Sequence, residues 1–283
     1  MTICRTCPRA CRLAEGQVGA CHARVNHGGK VVSENYGRLT SIALDPIEKK
    51  PIARWEPGTM VLSVGSYGCN LTCPFCQNHA IAQVSAREVP WREVAPRELV
   101  ALALDTQRRD PRCRGISYTY NEPLVSWEYV RDCARLAHDA GLANVLVSNG
   151  CAAPEVTTNL APWIDAANID LKGFSAGFYE MCAPGMGAKA LEAVKQTIAT
   201  LAATRTCHLE VTTLVVPGTN DTPEDIAAIA AWLASLDADI TYHVTRFFPR
   251  WHMQDREPTP VRTVYQLANV AREHLPHVLV GNC

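Results

Sequence analysis

No uninterrupted apolar run in this sequence approaches the ~18 residues that a helical membrane span needs. The opening stretch, M-T-I-C-R-T-C-P-R-A, also lacks the apolar core of a secretion signal. Charge of either sign is not in excess: 27 Lys+Arg against 28 Asp+Glu leave a formal net charge of −1. No broad attraction to nucleic acid or to an anionic membrane is therefore implied. Repeats and low-complexity tracts are missing too, and 47% hydrophobic residues are too many for a disordered chain. The length of 283 residues suits one large domain, or a domain with a small appendage. Cysteine is the exception to this scarcity, with 13 copies, an odd number that cannot pair fully within one chain. Cytoplasmic location is the expectation, and thiols kept reduced there serve metal binding or redox chemistry more often than disulfides.

The cysteines are grouped. Cys4, Cys7, Cys11 and Cys21 crowd the N-terminus, and Cys69, Cys73 and Cys76 form a tight trio. Cys113, Cys133, Cys151, Cys182 and Cys207 are scattered among apolar residues and read as small buried hydrophobes. Cys283 belongs to no group.

From Thr59 onward, short apolar runs alternate with amphipathic helices. Strand-like segments rich in Val, Ile, Thr and Tyr fall at 60–66, 115–120, 144–148, 166–171, 208–216 and 239–247. Helices fit between them: one opened by Pro96, one capped by Thr222 with Pro223 and two acids in its first turn, and one opened by Pro260. Six strands with intervening helices predict an α/β fold, a parallel sheet covered by helices. Periodicity alone fits a doubly wound sheet and a partial barrel equally well. Residues 1–58 break the rhythm and predict a Cys-rich N-terminal appendage, with the core barrel and a C-terminal helix over 59–283.

The segment S-V-G-S-Y-G-C-N-L-T-C-P-F-C-Q-N places Cys-x3-Cys-x2-Cys in the loop leaving the first strand. Structural zinc closes with four ligands. A cubane [4Fe-4S] cluster needs one ligand per iron, so three cysteines leave one iron open to a small molecule. This spacing, with Phe75 before the last cysteine, resembles the signature of the radical SAM superfamily. The resemblance implies a partial (β/α)6 TIM-like barrel and a [4Fe-4S] cluster on Cys69, Cys73 and Cys76. It also implies S-adenosyl-L-methionine (SAM) chelated at the open iron and cleaved reductively to a 5′-deoxyadenosyl radical, which abstracts hydrogen from a substrate. A one-electron donor such as flavodoxin or ferredoxin is implied as partner.

Other segments extend the resemblance. Y-T-Y-N-E-P at 118–123 takes the place of the family's glycine-glycine-glutamate-proline stretch, with Asn121 for the second glycine and Glu122 retained. V-S-N-G at 147–150 resembles a threonine-asparagine-glycine stretch and puts Ser148 and Asn149 near the cofactor. I-D-L-K at 169–172 resembles the Asp-x-Lys segment of glycyl-radical activating enzymes, which implicates Asp170 and Lys172. These segments sit at the C-terminal ends of the predicted strands, the rim where barrel enzymes place their chemistry. Each has a plainer reading: Asn149-Gly150 as a turn, Asp170 and Lys172 as a surface pair, Glu122 as a helix cap. Together with D-P-I-E-K-K-P at 45–51, they resemble the AmmeMemoRadiSam radical SAM group, often labelled pyruvate formate-lyase activators. Relatives there continue past G-N with a further cysteine pair.

Three further readings stay open. Cys4-x2-Cys7-x3-Cys11-x9-Cys21 suits structural zinc, as a staple for a unit without its own core, or a second iron–sulfur cluster. The substrate is either a glycine in a partner protein or another small molecule or group. A chain of a different class, an iron–sulfur electron carrier, would not need the polar residues on the rim. Late in the chain, Glu210 and Thr212 share one strand face, as do His243 and Thr245. Thr212 is grouped with the cofactor-facing residues, and Arg246 is the candidate catalytic residue, a guanidinium at the rim able to grip a carboxylate.

Overall fold

The computed structural model describes all residues, 1–283. Its main sheet has eight strands: β1 (Ser41–Pro46), β2 (Met60–Gly65), β3 (Cys113–Tyr118), β4 (Ala143–Ser148), β5 (Ala166–Asp170), β6 (His208–Val215), β7 (Thr241–Arg246) and β8 (Val278–Gly281). Spatial order follows chain order from β1 to β8 without a reversal. β2 to β8 are parallel, while β1 runs antiparallel to β2 along one edge. A doubly wound sheet needs a point where strand order turns back. Its absence settles the choice that periodicity left open, in favour of the partial barrel.

All six strands predicted from the sequence are present. Two more flank them, β1 and β8. Helices α1 (Pro96–Arg109), α2 (Trp127–Asp139), α3 (Pro154–Leu160), α4 (Ala176–Cys182), α5 (Gly187–Ala202), α6 (Pro223–Leu236) and α7 (Val261–Arg272) connect the strands. At the start of α6 the Thr222 hydroxyl accepts from the Asp225 N–H at 3.2 Å, the cap its sequence predicts. No helix is long and apolar enough to cross a membrane. The scattered cysteines Cys113, Cys133, Cys151 and Cys182 are fully buried, as expected of small hydrophobes.

The expected division at 58/59 does not coincide with a break in the fold. β1 pairs with β2 along its whole length, from Ser41↔Gly65 to Pro46↔Met60. The segment after β1 then turns under the sheet, and Ile47 and Ile52 pack with Val61, Val145 and Ala166 on the inner face. These apolar residues plug the bottom of the barrel. Polar anchors fix the plug: Asn168 donates to the Pro51 carbonyl at 2.7 Å, and Glu210 accepts from the Ala53 and Arg54 N–H groups at 2.9 and 2.8 Å.

What remains separate is the first 40 residues, built from short two-stranded ribbons. Arg24–His27 pairs with Lys30–Ser33 across the H-G-G-K turn, where Gly28 and Gly29 both take positive φ, at 59° and 74°. That geometry is what a two-residue turn of this type demands. The unit is docked on the barrel's C-terminal rim. Arg24 makes a two-pronged ion pair with Glu128 on α2 at 2.7 and 2.8 Å, and the Asn35 amide donates to the Tyr67 carbonyl at 2.8 Å.

Candidate functional site

The loop after β2 carries the cysteine trio, and its conformation is fixed by residues from three other segments. Asn121, in the loop after β3, accepts from the Ser66 N–H at 2.9 Å and donates to the Tyr67 and Gly68 carbonyls at 3.1 and 3.0 Å. Both ends of its amide are thereby engaged by the loop backbone. Asn121 holds the cysteine loop in place, a role that a glycine at that position would not perform. Gly68 has φ +88°, and a Cβ there would lie 2.4 Å from the Cys21 carbonyl oxygen, so only glycine fits. On the far side of the trio, the Thr72 N–H donates to the Cys182 carbonyl at 2.7 Å.

Glu122, Ser148 and Asn149 come together. The Glu122 carboxylate is buried and accepts from the Ser148 hydroxyl at 2.7 Å, the Asn149 N–H at 2.8 Å and the Leu124 N–H at 2.9 Å. The last bond caps the short helix that follows, so the capping role also holds. Burial pushes the Glu122 pKa up to about 7, against the pull of those three donors. The Asn149 amide donates to the Cys69 sulfur at 3.5 Å and to the Asn70 side-chain oxygen at 3.0 Å, which orients a sulfur of the trio.

Asp170 and Lys172 leave the end of β5 and pair at 2.9 Å. The pair is half-buried: the Lys172 side chain is 15% exposed and that of Asp170 37%. Burial disfavours its charge, but Asp170 and Cys73 outweigh that and hold its pKa well above the usual lysine value. Cys73 is conversely favoured as thiolate: a hydrogen bond from Cys182 lowers its pKa, and Lys172 adds to this against burial. Burial raises both Cys69 and Cys76. Phe75 is buried in the same loop, its ring centroid 6.2 Å from that of Phe178.

The inner face of the sheet is polar above its apolar plug. Thr212 lies opposite Asp170 in register, and its buried hydroxyl has no partner. Ser63, Ser117 and the Asn168 carbonyl oxygen are likewise buried without partners. Native interiors leave few such groups, and each calls for an explanation. Glu210 is engaged: His208 Nε2 lies 2.9 Å from one carboxylate oxygen and His243 Nε2 contacts the other.

Two residues the sequence reading passed over complete this face. Asp45, at the end of β1, accepts from Lys50 at 2.7 Å, from Lys49 at 3.0 Å and from the Tyr120 hydroxyl. Lys50 is buried, with its ammonium 4.6 Å from the Tyr120 ring centroid. Their one sequence signal was the segment D-P-I-E-K-K-P, whose partner Tyr120 lies far along the chain.

Arg246 does not join the site. It falls in register with Val215, on the face that carries Val211 and Val244 toward the helices, not on that of Glu210, Thr212 and His243. Its Nε donates to the Thr259 carbonyl at 2.7 Å, and its guanidinium lies 4.7 Å from the Phe248 ring centroid. Arg246→Ala is therefore expected to change the rate of SAM cleavage by less than about two-fold. A loss of ten-fold or more in a reductant-driven assay would return the residue to the site.

Residues 63–233, more than half of the chain, match the sequence model of the Radical SAM superfamily. The uncharacterized protein MJ0808 of Methanocaldococcus jannaschii is 38% identical over 281 residues, covering 99% of this chain and 80% of that one. Among solved structures, a radical SAM methyltransferase from Sphaerobacter thermophilus superposes with a TM-score of 0.59 at 15% identity, over 79% of this chain and 66% of that one. Streptococcus suis SuiB bound to S-adenosylmethionine gives a TM-score of 0.58 at 12% identity, over 79% of this chain and 52% of that one. At such identities these two likenesses speak for the fold alone.

Proposed function

This chain belongs to the radical SAM superfamily, and from that premise we propose that it is an enzyme using Cys69, Cys73 and Cys76 as its cluster ligands. Membership implies a [4Fe-4S] cluster and SAM. When bound, they supply one-electron reductive cleavage of the SAM sulfur–carbon bond and a 5′-deoxyadenosyl radical that takes hydrogen from substrate. The observation that carries the assignment is that the Asn149 amide, just after β4, donates to the Cys69 sulfur, with the Asp170–Lys172 pair at the end of the neighbouring strand β5.

The chain's own residues have distinct tasks. Asn121 fixes the cysteine loop, and Asn149 orients the Cys69 sulfur. The Lys172 ammonium, paired with Asp170, favours the Cys73 thiolate and offers a cation to a carboxylate. Glu122 and Ser148 brace the Asn149 backbone. The unpartnered Thr212 hydroxyl, beside Asp170 on the inner face, is a hydrogen-bonding group for cofactor or substrate. Elsewhere on the inner face, Asp45, Lys50 and Tyr120 form a polar group, which suits a polar substrate.

A second reading, activation of a glycyl radical enzyme, draws on Asp170 and Lys172 lying at the cluster loop. The electron donor is of the flavodoxin or ferredoxin class. The four N-terminal cysteines form a second metal site. Anaerobic reconstitution tests the cofactor assignment: adding SAM to the dithionite-reduced protein is expected to shift the electron paramagnetic resonance (EPR) spectrum of the trio's cluster. A spectrum indifferent to SAM, with no binding by equilibrium dialysis, would overturn it.

A further inference from the structure

The segment D-P-I-E-K-K-P at 45–51 folds back on itself. After Pro46, a single tight turn over Ile47–Lys49 brings Lys49 and Lys50 round to the Asp45 carboxylate, which accepts from them at 3.0 and 2.7 Å. Asp45 stands directly opposite Val61 across β1 and β2, so it shares the inner face of the sheet with that plug residue. Asp45 and Lys50 are 5% and 3% exposed. A charge pair this deeply buried needs good geometry to offset its lost hydration. The pair also holds a third group. Asp45 accepts from the Tyr120 hydroxyl, and the Lys50 ammonium lies 4.6 Å from the Tyr120 ring centroid.

Tyr120 itself is strained. Its φ is +71°, in the left-handed region that a residue with a Cβ rarely takes. The Asn121 N–H donates to the Thr119 carbonyl at 3.0 Å, which closes a three-residue γ-turn about Tyr120. With positive φ at its centre, this is the rare and strained form of that turn. It also brings the chain hard against β2: a Cβ on Gly65 would lie 2.8 Å from the Tyr120 Cβ. A strained conformation persists only where its surroundings over-determine it. Here the Asp45–Lys50 anchor does so through the side chain.

The turn presents a clasp to the cysteine loop. Asn121 engages the backbone of Ser66, Tyr67 and Gly68, just before Cys69. The Tyr120 carbonyl accepts from the side chain of Asn78, just after Cys76, at 2.7 Å. Adjacent residues of one turn therefore hold both ends of the segment that carries the trio. Because φ is the rotation about the N–Cα bond, relaxing it would carry the Tyr120 carbonyl and Asn121 away from both partners.

We propose that Tyr120, anchored by Asp45 and Lys50, is a positioning residue: it locks the turn that clasps both ends of the cysteine loop, and so fixes where the three thiols sit before a cluster binds. That the loop then receives a cluster rests on the function proposed above; the clasp itself does not.

Hydrogen–deuterium exchange of the metal-free full chain reads the clasp directly. In Tyr120→Ala the anchor is gone while a Cβ still opposes the left-handed φ. Amides of residues 66–82 should then exchange about ten-fold faster, with those of β6 and β7 unchanged. Tyr120→Gly loses the same anchor, but glycine takes positive φ without steric cost. Its exchange over 66–82 should stay within about three-fold of wild type. A packing role forbids that rescue, because glycine removes more of the side chain than alanine does. Tyr120→Phe drops only the hydroxyl bond to Asp45 and should exchange about three-fold faster, which keeps the test alive if the alanine variant does not fold. Unchanged exchange in the alanine and phenylalanine variants, or a glycine variant as fast as alanine, would overturn the proposal. After anaerobic reconstitution, the SAM-sensitive EPR signal of Tyr120→Ala should bleach about ten-fold faster than that of wild type under a chelator, with glycine restoring most of the difference. Equal bleaching in all three would also overturn it. The expected exchange pattern in a protein whose EPR spectrum ignores SAM would leave the clasp standing and sink the cluster reading instead.

Discussion

Cys73→Ala is expected to abolish 5′-deoxyadenosine formation from SAM while leaving the protein folded. Cys73 is the middle ligand of the trio, and two thiolates cannot hold a cubane that already lacks its fourth protein ligand. Iron at this site should fall by about four atoms, and product should drop below detection. The fold should survive because the loop is held by bonds to its backbone that the substitution does not touch: the Thr72 N–H to the Cys182 carbonyl, and the Asn121 side chain to Ser66, Tyr67 and Gly68. Removing one sulfur costs about 1 kcal/mol, well within the stability of a domain this size. Cys113→Ala is the matched control, a cysteine buried among apolar residues away from the trio. It should keep both iron and product. Near-normal product from Cys73→Ala, with normal circular dichroism, would refute the ligand assignment.

Glu210→Ala is expected to have the largest effect on stability. The Glu210 side chain is fully buried and gathers four donors: the Ala53 and Arg54 N–H groups and the Nε2 atoms of His208 and His243. Removing the carboxylate leaves these donors without their acceptor on a largely buried face, a situation that costs about 3–5 kcal/mol. For a chain of this length that is a fall in Tm of roughly 10 °C. Glu210→Gln keeps one acceptor oxygen and should lose less. The effect should also depend on pH. Burial acts to raise the Glu210 pKa, but the hydrogen bonds from His208 and His243 prevail and bring it down to about 2. A carboxyl depressed in the folded state contributes its stability above its unfolded pKa of about 4.3, and that contribution is lost as pH falls from there toward 2. Wild type and Glu210→Ala should therefore converge in stability as denaturant titrations move from pH 6 to pH 3, and a constant gap would contradict this account.

The structure explains which parts of the fold and site were legible in the sequence. Each of the six central strands is a run of β-branched and apolar residues bounded by helices, and buried parallel strands need that composition. β1 escaped because S-I-A-L-D-P is short of β-branched residues and ends in Asp-Pro, on an edge where proline is tolerated. β8 escaped because it spans four residues. The grouping of the cysteine trio and quartet is legible because it lies in local spacing. The Asp45–Lys50–Tyr120 group was not, since its partners meet only after the chain has folded. Arg246 shows the opposite error. Its position along the chain places it at the rim, but strand parity decides the face, and parity turns it toward the helices. The resemblance places Asn121 among the cofactor-binding residues, whereas its work of holding the cysteine loop is visible only in its hydrogen bonds.

The proposed activity turns on reductive cleavage of SAM at the trio. The most direct measurement is the yield of 5′-deoxyadenosine from the anaerobically reconstituted wild-type protein, incubated with SAM and dithionite and followed by chromatography. The account predicts formation of 5′-deoxyadenosine together with methionine, dependent on both reductant and reconstituted iron. Reversible reduction of a fully loaded protein, with SAM recovered intact, would contradict it and leave an iron–sulfur electron carrier in its place.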